Sequence, residues 1–319
     1  MSHDLMNLGP PTDLVAETAV RTAGAVAFTE GPAVDAEGSV FFSDIVNNRI
    51  MRRAPDGTLS VWRADSGRAN GNMFDAQGRL VTCEGAEFGD GGQRRITRTD
   101  MRTGAVEVLT DRYEGKRYNS PNDLVIDNQG RIYFTDPRYK PDRSDLELDV
   151  EAVYRLDPDG RVTRMLSQPT IQKPNGITIS PDNRHLYLVD SSPAPGGNRK
   201  IWAFDINADL TLSGQRLVYD FAPGRGGDGM RTDVQGNLWI AAGVSRPRHA
   251  NETAEVPAGS YVVTPQGEML GRIPVPEDAL TNLAFGGPDL KTLYIVSGKS
   301  LFSIRVTVAG HVVYPRLAG

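Results

Sequence analysis

The sequence has almost no cysteine. Its 319 residues include a single one, Cys83, so no intrachain disulfide can form and no thiolate cluster can hold zinc or an iron–sulfur centre. We expect Cys83 to be a half-buried strand residue. Stretches of about 12 or more residues with a helical period are also missing, whereas 34 glycines and 21 prolines are spread along the whole chain. Many tight turns and few helices predict an all-β fold.

Clustered positive charge and long apolar runs are absent as well. The formal net charge is −5 and the Lys and Arg residues are scattered, which leaves no basic surface for a phosphate backbone. No apolar run approaches the roughly 18 residues of a membrane-spanning helix. We therefore expect neither nucleic acid nor membrane as a partner. The start MSHDLMNLGPPTDL lacks the order of a secretory signal, so we expect a cytoplasmic protein, or a periplasmic one if a signal has been removed.

What the sequence does contain is one phrase repeated six times. Each copy joins alternating apolar residues, a polar turn and a β-branched or aromatic run, and so predicts a strand, a turn and a strand. Successive copies begin 40, 52, 53, 53 and 54 residues apart, near the roughly 40–50 residues of common propeller blades. The copies are EGPAVDAEGSVFFSD from Glu30, NGNMFDAQGRLVTCE from Asn70, NDLVIDNQGRIYFTD from Asn122, NGITISPDNRHLYLVD from Asn175, DGMRTDVQGNLWIAA from Asp228 and NLAFGGPDLKTLYIVS from Asn282.

The repeat predicts a single six-bladed β-propeller domain with four-stranded blades across residues 1–319. Such units cannot bury both faces alone, and stacking them in a closed ring leaves only short edges. Residues 1–12 are expected to form an irregular N-terminal extension. The segment Asp13–Thr22 has no copy of the phrase, and we expect it to supply the strand that completes the last blade beside Leu301–Val308.

The first residue of every copy carries a side-chain oxygen. Equivalent positions of propeller blades lie at one radius and height, so six such residues would surround one point on the axis. Calcium takes about six to eight oxygen ligands from carboxylates, carboxamides and water. It is the leading cation, with Mg²⁺, Mn²⁺ and Zn²⁺ as alternatives. Any one of these residues alone could simply open a turn. The six are Glu30, Asn70, Asn122, Asn175, Asp228 and Asn282.

Eight motifs, taken together and in order, resemble the family of gluconolactonase, regucalcin (senescence marker protein) and luciferin-regenerating enzyme. The bacterial gluconolactonase branch is the most similar, and the likeness covers nearly the whole chain. Any one motif alone would be weak. The motifs are EGPAVD, RANGNMFD, TCE followed by RRITRTD, SPNDLVID, FTDPRY, VYRLDPDG, KPNGITISPD and GDGMRTDVQGNLW.

The resemblance implies a six-bladed propeller with a calcium site and a sugar-binding cavity. It implies that Asp228 takes part in activating water, and that Asn122 is either a fourth metal ligand or a substrate contact. The implied calcium ligands are Glu30, Asn175 and Asp228. The residues implied to approach the sugar are Asn70 or Asn72, Glu84 and Arg138.

Two loops depart from the family pattern. The branch usually follows TCE with His and a short step to an Arg pair, whereas here GAEFGDGGQ separates Glu84 from Arg94 and Arg95. The common DPPYG is here DPRYK, residues 136–140. These changes leave the metal site untouched but keep the identity of the lactone open. The loops 84–95, 139–150 and 245–258 would serve as lids over the substrate or as ordinary solvated connections.

The resemblance, together with the ring of oxygen ligands, implies an enzyme that hydrolyses a small-molecule sugar-acid lactone with one divalent cation. The cation would polarise the carbonyl, and Asn122 would steer it. Asp228 would orient or deprotonate the attacking water, with a metal-bound hydroxide as the alternative base. Glu30 would be a purely structural ligand. The G-x-S-x-G motif of serine hydrolases is missing, and monomer and homodimer both remain open.

Three other functions are compatible with the same architecture, because a fold does not determine a function. The calcium centre could hydrolyse phosphotriesters or aryl esters, as in the similar fluorophosphatase and paraoxonase propellers, although their pockets would be more apolar. A non-catalytic propeller could act as an interaction module. A quinone-dependent sugar dehydrogenase would show the absorption band of its cofactor.

Overall fold

Strands account for nearly all of the regular structure. The computed structural model describes residues 8–9, 11–17, 19–247 and 252–315, and in these it contains 26 strands, one 3₁₀ helix at Ile45–Asn47 and no α-helix. Six antiparallel sheets of four strands follow one another along the chain. The predicted six-bladed β-propeller is therefore confirmed. Within the described ranges, no helix has the length and apolar character needed to cross a membrane.

The first strand of each blade lies nearest the axis, because these strands contact each other from blade to blade. A hairpin of β10 (Arg112–Tyr113) and β11 (Lys116–Arg117) leads from the second blade to the third. Blade one contains β2 (Thr29–Val34), β3 (Val40–Asp44), β4 (Arg49–Arg53) and β5 (Leu59–Ala64), and blade two contains β6 (Ala69–Phe74), β7 (Leu80–Glu84), β8 (Arg95–Thr99) and β9 (Val106–Thr110). Blade three contains β12 (Leu124–Ile126), β13 (Ile132–Asp136), β14 (Ala152–Leu156) and β15 (Val162–Ser167), and blade four contains β16 (Pro174–Ile179), β17 (His185–Ser191), β18 (Arg199–Ile206) and β19 (Leu212–Asp220). Blade five contains β20 (Gly227–Thr232), β21 (Leu238–Ala242), β22 (Gly259–Val263) and β23 (Met269–Pro274), and blade six contains β24 (Leu280–Gly286), β25 (Thr292–Ser297), β26 (Ser300–Arg305) and β1 (Arg21–Ala25).

The ring closes where strands from the N-terminal and C-terminal parts of the chain pair in the sixth blade. Strand β1 is the outermost strand of this blade and pairs with β26, with Arg21 opposite Ser303. The N-terminal segment thus completes the last blade, but its strand begins only at the end of the predicted range Asp13–Thr22. The earlier residues make a turn instead, in which the amide of Val15 donates to the carbonyl of Pro11. Val15 reaches the sheet through a single bridge to Val306.

The predicted N-terminal extension lies against the outside of the propeller. Residues 8–9 and 11–12 form no helix or strand, and the remainder of the range 1–12 lies outside the described residues. The amide of Arg272 donates to the carbonyl of Gly9 at 3.0 Å. Leu8 packs against the apolar cluster between blades four and five. The extension therefore covers the outer strand of blade five.

Apolar side chains fill the spaces between neighbouring blades. Between blades five and six, the rings of Trp239 and Phe285 meet edge-on at 5.4 Å within one cluster. Inner and second strands are buried on both faces, whereas the outermost strand β9 keeps several residues exposed. Cys83 lies in the second strand β7 and is fully buried rather than half-buried as expected. A second strand is covered by a neighbouring blade on each face, which leaves it no exposed side.

A buried ion pair and the end of the chain fill the axis of the ring. Arg231 of blade five donates from Nη1 to Oδ2 of Asp123 in blade three at 3.1 Å. Beyond this pair, a cavity of about 30 Å³ separates Arg231 from residues 312–314. Val313 packs into the cluster between blades two and three, and the ring of Tyr314 lies 5.7 Å from that of Phe74. The C-terminal segment therefore closes the turn end of the axis.

The variant Arg231→Met should destabilise the fold strongly, because it leaves Asp123 buried without its counter-ion. Removing one partner of a buried pair costs about 3–5 kcal/mol, and the free energy of unfolding in urea should fall by that amount. The matched control is Arg305→Met, whose side chain and that of its partner Asp289 are 42% and 45% exposed. Exposed pairs contribute about 0–1 kcal/mol. Similar losses in both variants would contradict a structural role for the axial pair.

Candidate metal and substrate site

A cavity of about 520 Å³ opens at the end of the ring where the inner strands begin. Five of the six predicted ring residues line it, one from each of blades one to five. Their side chains lie close together and are only 4–9% exposed. The structure therefore brings these five carboxylates and carboxamides to one cavity. They are Glu30, Asn70, Asn122, Asn175 and Asp228.

The inner strands carry these residues at irregularities of the sheet. A register shift begins at Glu30, and Asn175 and Asp228 lie within the shifts of their strands. A bulge of this kind re-aims a side chain. Glycine follows the ring residue in four blades. A Cβ at Gly71 would lie 2.6 Å from the carbonyl oxygen of Asn122 in the next blade, and the amide of Gly71 donates to that oxygen at 2.7 Å. The absent side chain thus lets neighbouring backbones meet around the axis.

Asn282 is not the sixth member of the ring, and Thr281 takes its place. Thr281 lines the cavity, and its hydroxyl donates to the carbonyl of Thr29 at 2.8 Å. The Oδ1 of Asn282 instead accepts the amide of Leu283 at 2.9 Å. The predicted circle of six oxygen-bearing ligands is therefore reduced to five carboxylates or carboxamides.

Strand pairing explains why the repeat was misaligned in the last blade. In blade four the regular register begins two residues after Asn175, at the pair with Leu188. In blade six the register shift lies between Leu280 and Asn282, so Thr281 lies within it and Asn282 already pairs with Val296. Counting back from the turn therefore selected the paired residue Asn282 instead of Thr281, which lies at the irregularity and lines the cavity.

Burial dominates the electrostatics of Glu30. Burial and the nearby charge of Asp228 raise the pKa of Glu30 well above its usual value, although hydrogen bonds from Gly31 and Asn282 lower it. The amide of Gly31 donates to its Oε2 at 2.9 Å. Two buried carboxylates so close together repel each other, and this repulsion favours a bound cation.

Asp228 has a partial counter-ion in Arg225. Burial raises the pKa of Asp228, and Arg225 and Asn175 lower it. The Nη2 of Arg225 donates to Oδ2 of Asp228 at 2.6 Å. The Nδ2 of Asn175 donates to the hydroxyl of Tyr139 at 2.9 Å, which orients the carboxamide in the cavity.

The side-chain amides of Asn70 and Asn122 are relevant to cation binding because they lack hydrogen-bond partners among the described residues. The Oδ1 of Asn70 is buried without a hydrogen-bond partner, and within the described residues the side chain of Asn122 makes no hydrogen bond although it is only 6% exposed. Buried polar atoms are normally paired, so the Oδ1 of Asn70 fits an additional group, and the side chain of Asn122 lines the same cavity. Of the described residues, no three His, Cys, Asp or Glu side chains cluster for a metal; the available donors are two carboxylates and several carboxamides, a set that suits hard cations.

Three of the expected substrate contacts lie outside the cavity. Asn72 is fully buried, and its Nδ2 donates to the carbonyl of Gly31 at 2.8 Å, tying blade two to blade one. Glu84 is fully buried and bonded to Arg95 at 2.6 Å. The side chain of Arg138 is fully buried and bonded to Asp145. Asn72, Glu84 and Arg138 are therefore structural side chains here, rather than the sugar contacts expected from the resemblance.

Loops supply cavity residues that the sequence analysis did not identify. From the expected lids come Glu87 and Phe88, Tyr139 to Pro141, and Glu252. The Oε2 of Glu87 accepts the amides of Tyr139 and Lys140 at 3.1 and 2.5 Å, which joins two of these loops. Residues 248–251 of the third loop lie outside the described residues. These positions carry no periodic signal, so only their departure from the family pattern pointed to them.

A six-bladed propeller with an oxygen-donor site at its axis is the class of protein that the fold and the cavity define. The chain belongs to the SMP-30/Gluconolactonase/LRE-like family, whose model matches residues 28–299. The match includes all five ring residues and the strands that carry them.

Relatives and solved structures of this family resemble the chain over most of its length. A gluconolactonase of Zymomonas mobilis is 31% identical over 332 residues, which cover 96% of this chain and 84% of the relative. Regucalcin of Danio rerio is 28% identical over 270 residues, covering 82% of this chain and 79% of the relative. The structure of XC5397 from Xanthomonas campestris, described as a gluconolactonase, has a TM-score of 0.78 and 32% identity, with 94% of this chain and 93% of that chain covered.

Asp136 supports the backbone that leads to Asn122. Its Oδ2 and Oδ1 accept the amides of Asn119 and Ser120 at 2.8 and 2.7 Å. Burial raises the pKa of Asp136 to about 7, although these two bonds lower it. The folded state therefore keeps a proton that the unfolded chain releases at about pH 4. The resulting stability is complete below that pH and is lost as the pH rises through about 7.

Asp136→Asn should flatten the pH dependence of stability between about pH 4 and 7. The wild-type free energy of unfolding should fall across this window relative to that of the variant, because only the wild type must release the extra proton. The variant should be less stable overall, since its carboxamide offers one acceptor oxygen to two amide donors. Urea denaturation at several pH values, with chelator present, measures both effects. Parallel curves would contradict the raised pKa.

Proposed function

We propose that this protein hydrolyses a sugar-acid lactone with the help of one divalent cation, Ca²⁺. The observation that carries the proposal is the cluster of two buried carboxylates and three carboxamides on one cavity. Membership of a family that includes gluconolactonases supports lactone hydrolysis. Cavity size agrees with a small substrate, because about 520 Å³ is within the range of ligand pockets.

In this proposal Glu30, Asn175 and Asp228 hold the cation, and Asn122 is either a fourth ligand or a contact to the lactone carbonyl. When bound, a divalent cation would polarise a carbonyl and stabilise developing negative charge on its oxygen. An all-oxygen set with several neutral amides favours Ca²⁺ over Mg²⁺, which needs stricter octahedral geometry. Asn70, whose Oδ1 has no partner, is available to the substrate or to water.

The reaction adds one water to the carbonyl carbon and breaks the ring bond between that carbon and oxygen. The ring oxygen leaves as a hydroxyl, and the products are a sugar-acid carboxylate and one proton. Asp228 would orient the attacking water and accept its proton, a role suited to a carboxylate whose pKa burial raises. The rings of Phe28 and Phe88, 5.2 Å apart on the cavity wall, would cover an apolar face of the sugar.

Removing the charge of Glu30 should weaken cation binding without unfolding the protein. With Ca²⁺ at 100 times its Kd, the wild type should gain about 2.7 kcal/mol of stability, seen as a higher midpoint of thermal unfolding. Glu30→Gln should lose at least about 10-fold in affinity, and thus about 1.4 kcal/mol of that gain. Glu37→Gln, at an exposed turn of the same blade, is the matched control. If Ca²⁺ stabilises both variants equally, Glu30 is not a ligand.

Asp228→Asn should separate catalysis from ion binding. A carboxamide keeps an oxygen for the cation but cannot accept the proton of water, so kcat should fall by about 10²–10⁴. The affinity for Ca²⁺, measured by calorimetry, should change much less. Retained turnover would exclude the proposed role of Asp228.

A substrate panel distinguishes lactone hydrolysis from its rivals. Chelator should abolish turnover of aldonolactones and added Ca²⁺ should restore it, measured as proton release above the spontaneous rate. Faster turnover of a phosphotriester or aryl ester would favour the phosphotriesterase or arylesterase alternative. Binding of Ca²⁺ without hydrolysis of any panel member would favour a non-catalytic module.

A further inference from the structure

Two arginines line the cavity on the side formed by blades four and five. Arg199 begins β18, and Arg225 lies just before β20. Arg225 donates from Nη1 to the carbonyl of Leu280 at 2.8 Å and from Nη2 to Asp228 at 2.6 Å. These bonds fix its guanidinium beside the carboxylate that is proposed to activate water.

A glycine allows the backbone next to Arg225 to lie against the side chain of Arg199. A Cβ at Gly226, the residue after Arg225, would lie 3.0 Å from Cδ of Arg199 and 2.7 Å from Oγ of Ser191. The missing side chain therefore lets the backbone next to Arg225 rest on the stem of Arg199. Burial lowers the pKa of Arg199, and the charge of Arg225 lowers it further. The two cations are thus near enough for the charge of Arg225 to act on Arg199.

Arg199 keeps unused donors toward the cavity. It is only 7% exposed, and its Nη1 donates to the carbonyls of Gly197 and Asn198 at 3.3 and 3.1 Å. Within the described residues its Nε and Nη2 have no hydrogen-bond partner, and neither belongs to the buried atoms without a partner. These two nitrogens therefore retain access to the cavity that Arg199 lines.

The anionic side chains on the same cavity do not occupy these donors in hydrogen bonds within the described residues. The Oε2 of Glu87 already accepts two backbone amides. Glu252 is close enough for its charge to raise the pKa of Arg199, so the alternative role for Arg199 is to stabilise the loop that carries Glu252.

We infer that Arg199 and Arg225 bind a carboxylate of the substrate, which makes the preferred substrate the lactone of a dicarboxylic sugar acid. This inference rests on the proposed function and narrows its substrate class. A guanidinium matches the planar carboxylate with two parallel hydrogen bonds. A singly charged group suits the position better than a phosphate dianion, because Asp228 and Glu30 stand on the same cavity. With the carboxylate on the arginines, the lactone ring extends toward Asp228.

The test compares a neutral and an anionic lactone, glucono-1,5-lactone and glucaro-1,4-lactone, in the Ca²⁺-loaded protein. The wild type should have the higher kcat/KM for the anionic lactone. Arg199→Gln should lower that kcat/KM by about 10–100-fold, mainly through KM, and change the neutral lactone less than about 3-fold. The kcat/KM of Arg199→Lys for the anionic lactone should lie between those of the wild type and Arg199→Gln, because a lysine keeps the charge but cannot form two parallel hydrogen bonds. Arg216→Gln, which removes an exposed cation bonded to Asp205, should leave both values unchanged.

A binding measurement keeps the inference separate from the proposed function. By calorimetry, glucarate should bind the wild type more tightly than gluconate, and Arg199→Gln should abolish the difference. If the wild type hydrolyses lactones but Arg199→Gln affects both lactones equally, the inference is overturned and the lactonase stands. If no lactone is hydrolysed but glucarate binding depends on Arg199, the proposed lactonase function is wrong and the proposed carboxylate site is supported. Equal binding of both acids, with no effect of Arg199→Gln, overturns the site itself.

Discussion

The close approach of six inner strands around one axis is the constraint on which the site depends. Backbones can meet there only where side chains are small, and Gly71 and Gly176 each face the backbone of a ring residue in the next blade. A Cβ at either glycine would collide with a carbonyl oxygen. The same packing presents the preceding side chain to the cavity. Where glycine is required for the close approach, the residue before it is therefore placed at the cavity.

Blades three and six have a polar residue instead of glycine after the residue that lines the cavity. Asp123 and Asn282 stand where other blades have glycine, and each accepts the amide of the residue that follows it. Asp123 also adds negative charge near Glu30, which the buried bond to Arg231 offsets. The cavity thus concentrates negative charge at its base, while Arg225 supplies positive charge on one wall. A bound cation would neutralise the negative charge at the base, and an anionic substrate would neutralise the positive charge on the wall.

The repeated phrase was sufficient to predict the number of blades and five of the ring residues, because blade geometry turns an equal offset in sequence into an equal place in space. It misplaced the sixth, because the sequence does not show that Asn282 pairs regularly with Val296 and that Thr281 lies at the irregularity of the strand. Asn72, Glu84 and Arg138 were expected at the sugar from family resemblance alone, and local hydrogen bonds hold them elsewhere. Arg199 and Tyr139 were not singled out, because loops and strand ends that reach the cavity follow no period.

The filled axis makes the cavity a blind pouch. Arg231 and residues 312–314 obstruct the far end, and the described residues offer an opening only among the loops. Lactone, water and ring-opened acid would then enter and leave through the same opening. An acid that has not yet left would block binding of the next lactone. A pouch with one opening favours competitive inhibition by product, because the acid would leave past the loops that Glu87 joins.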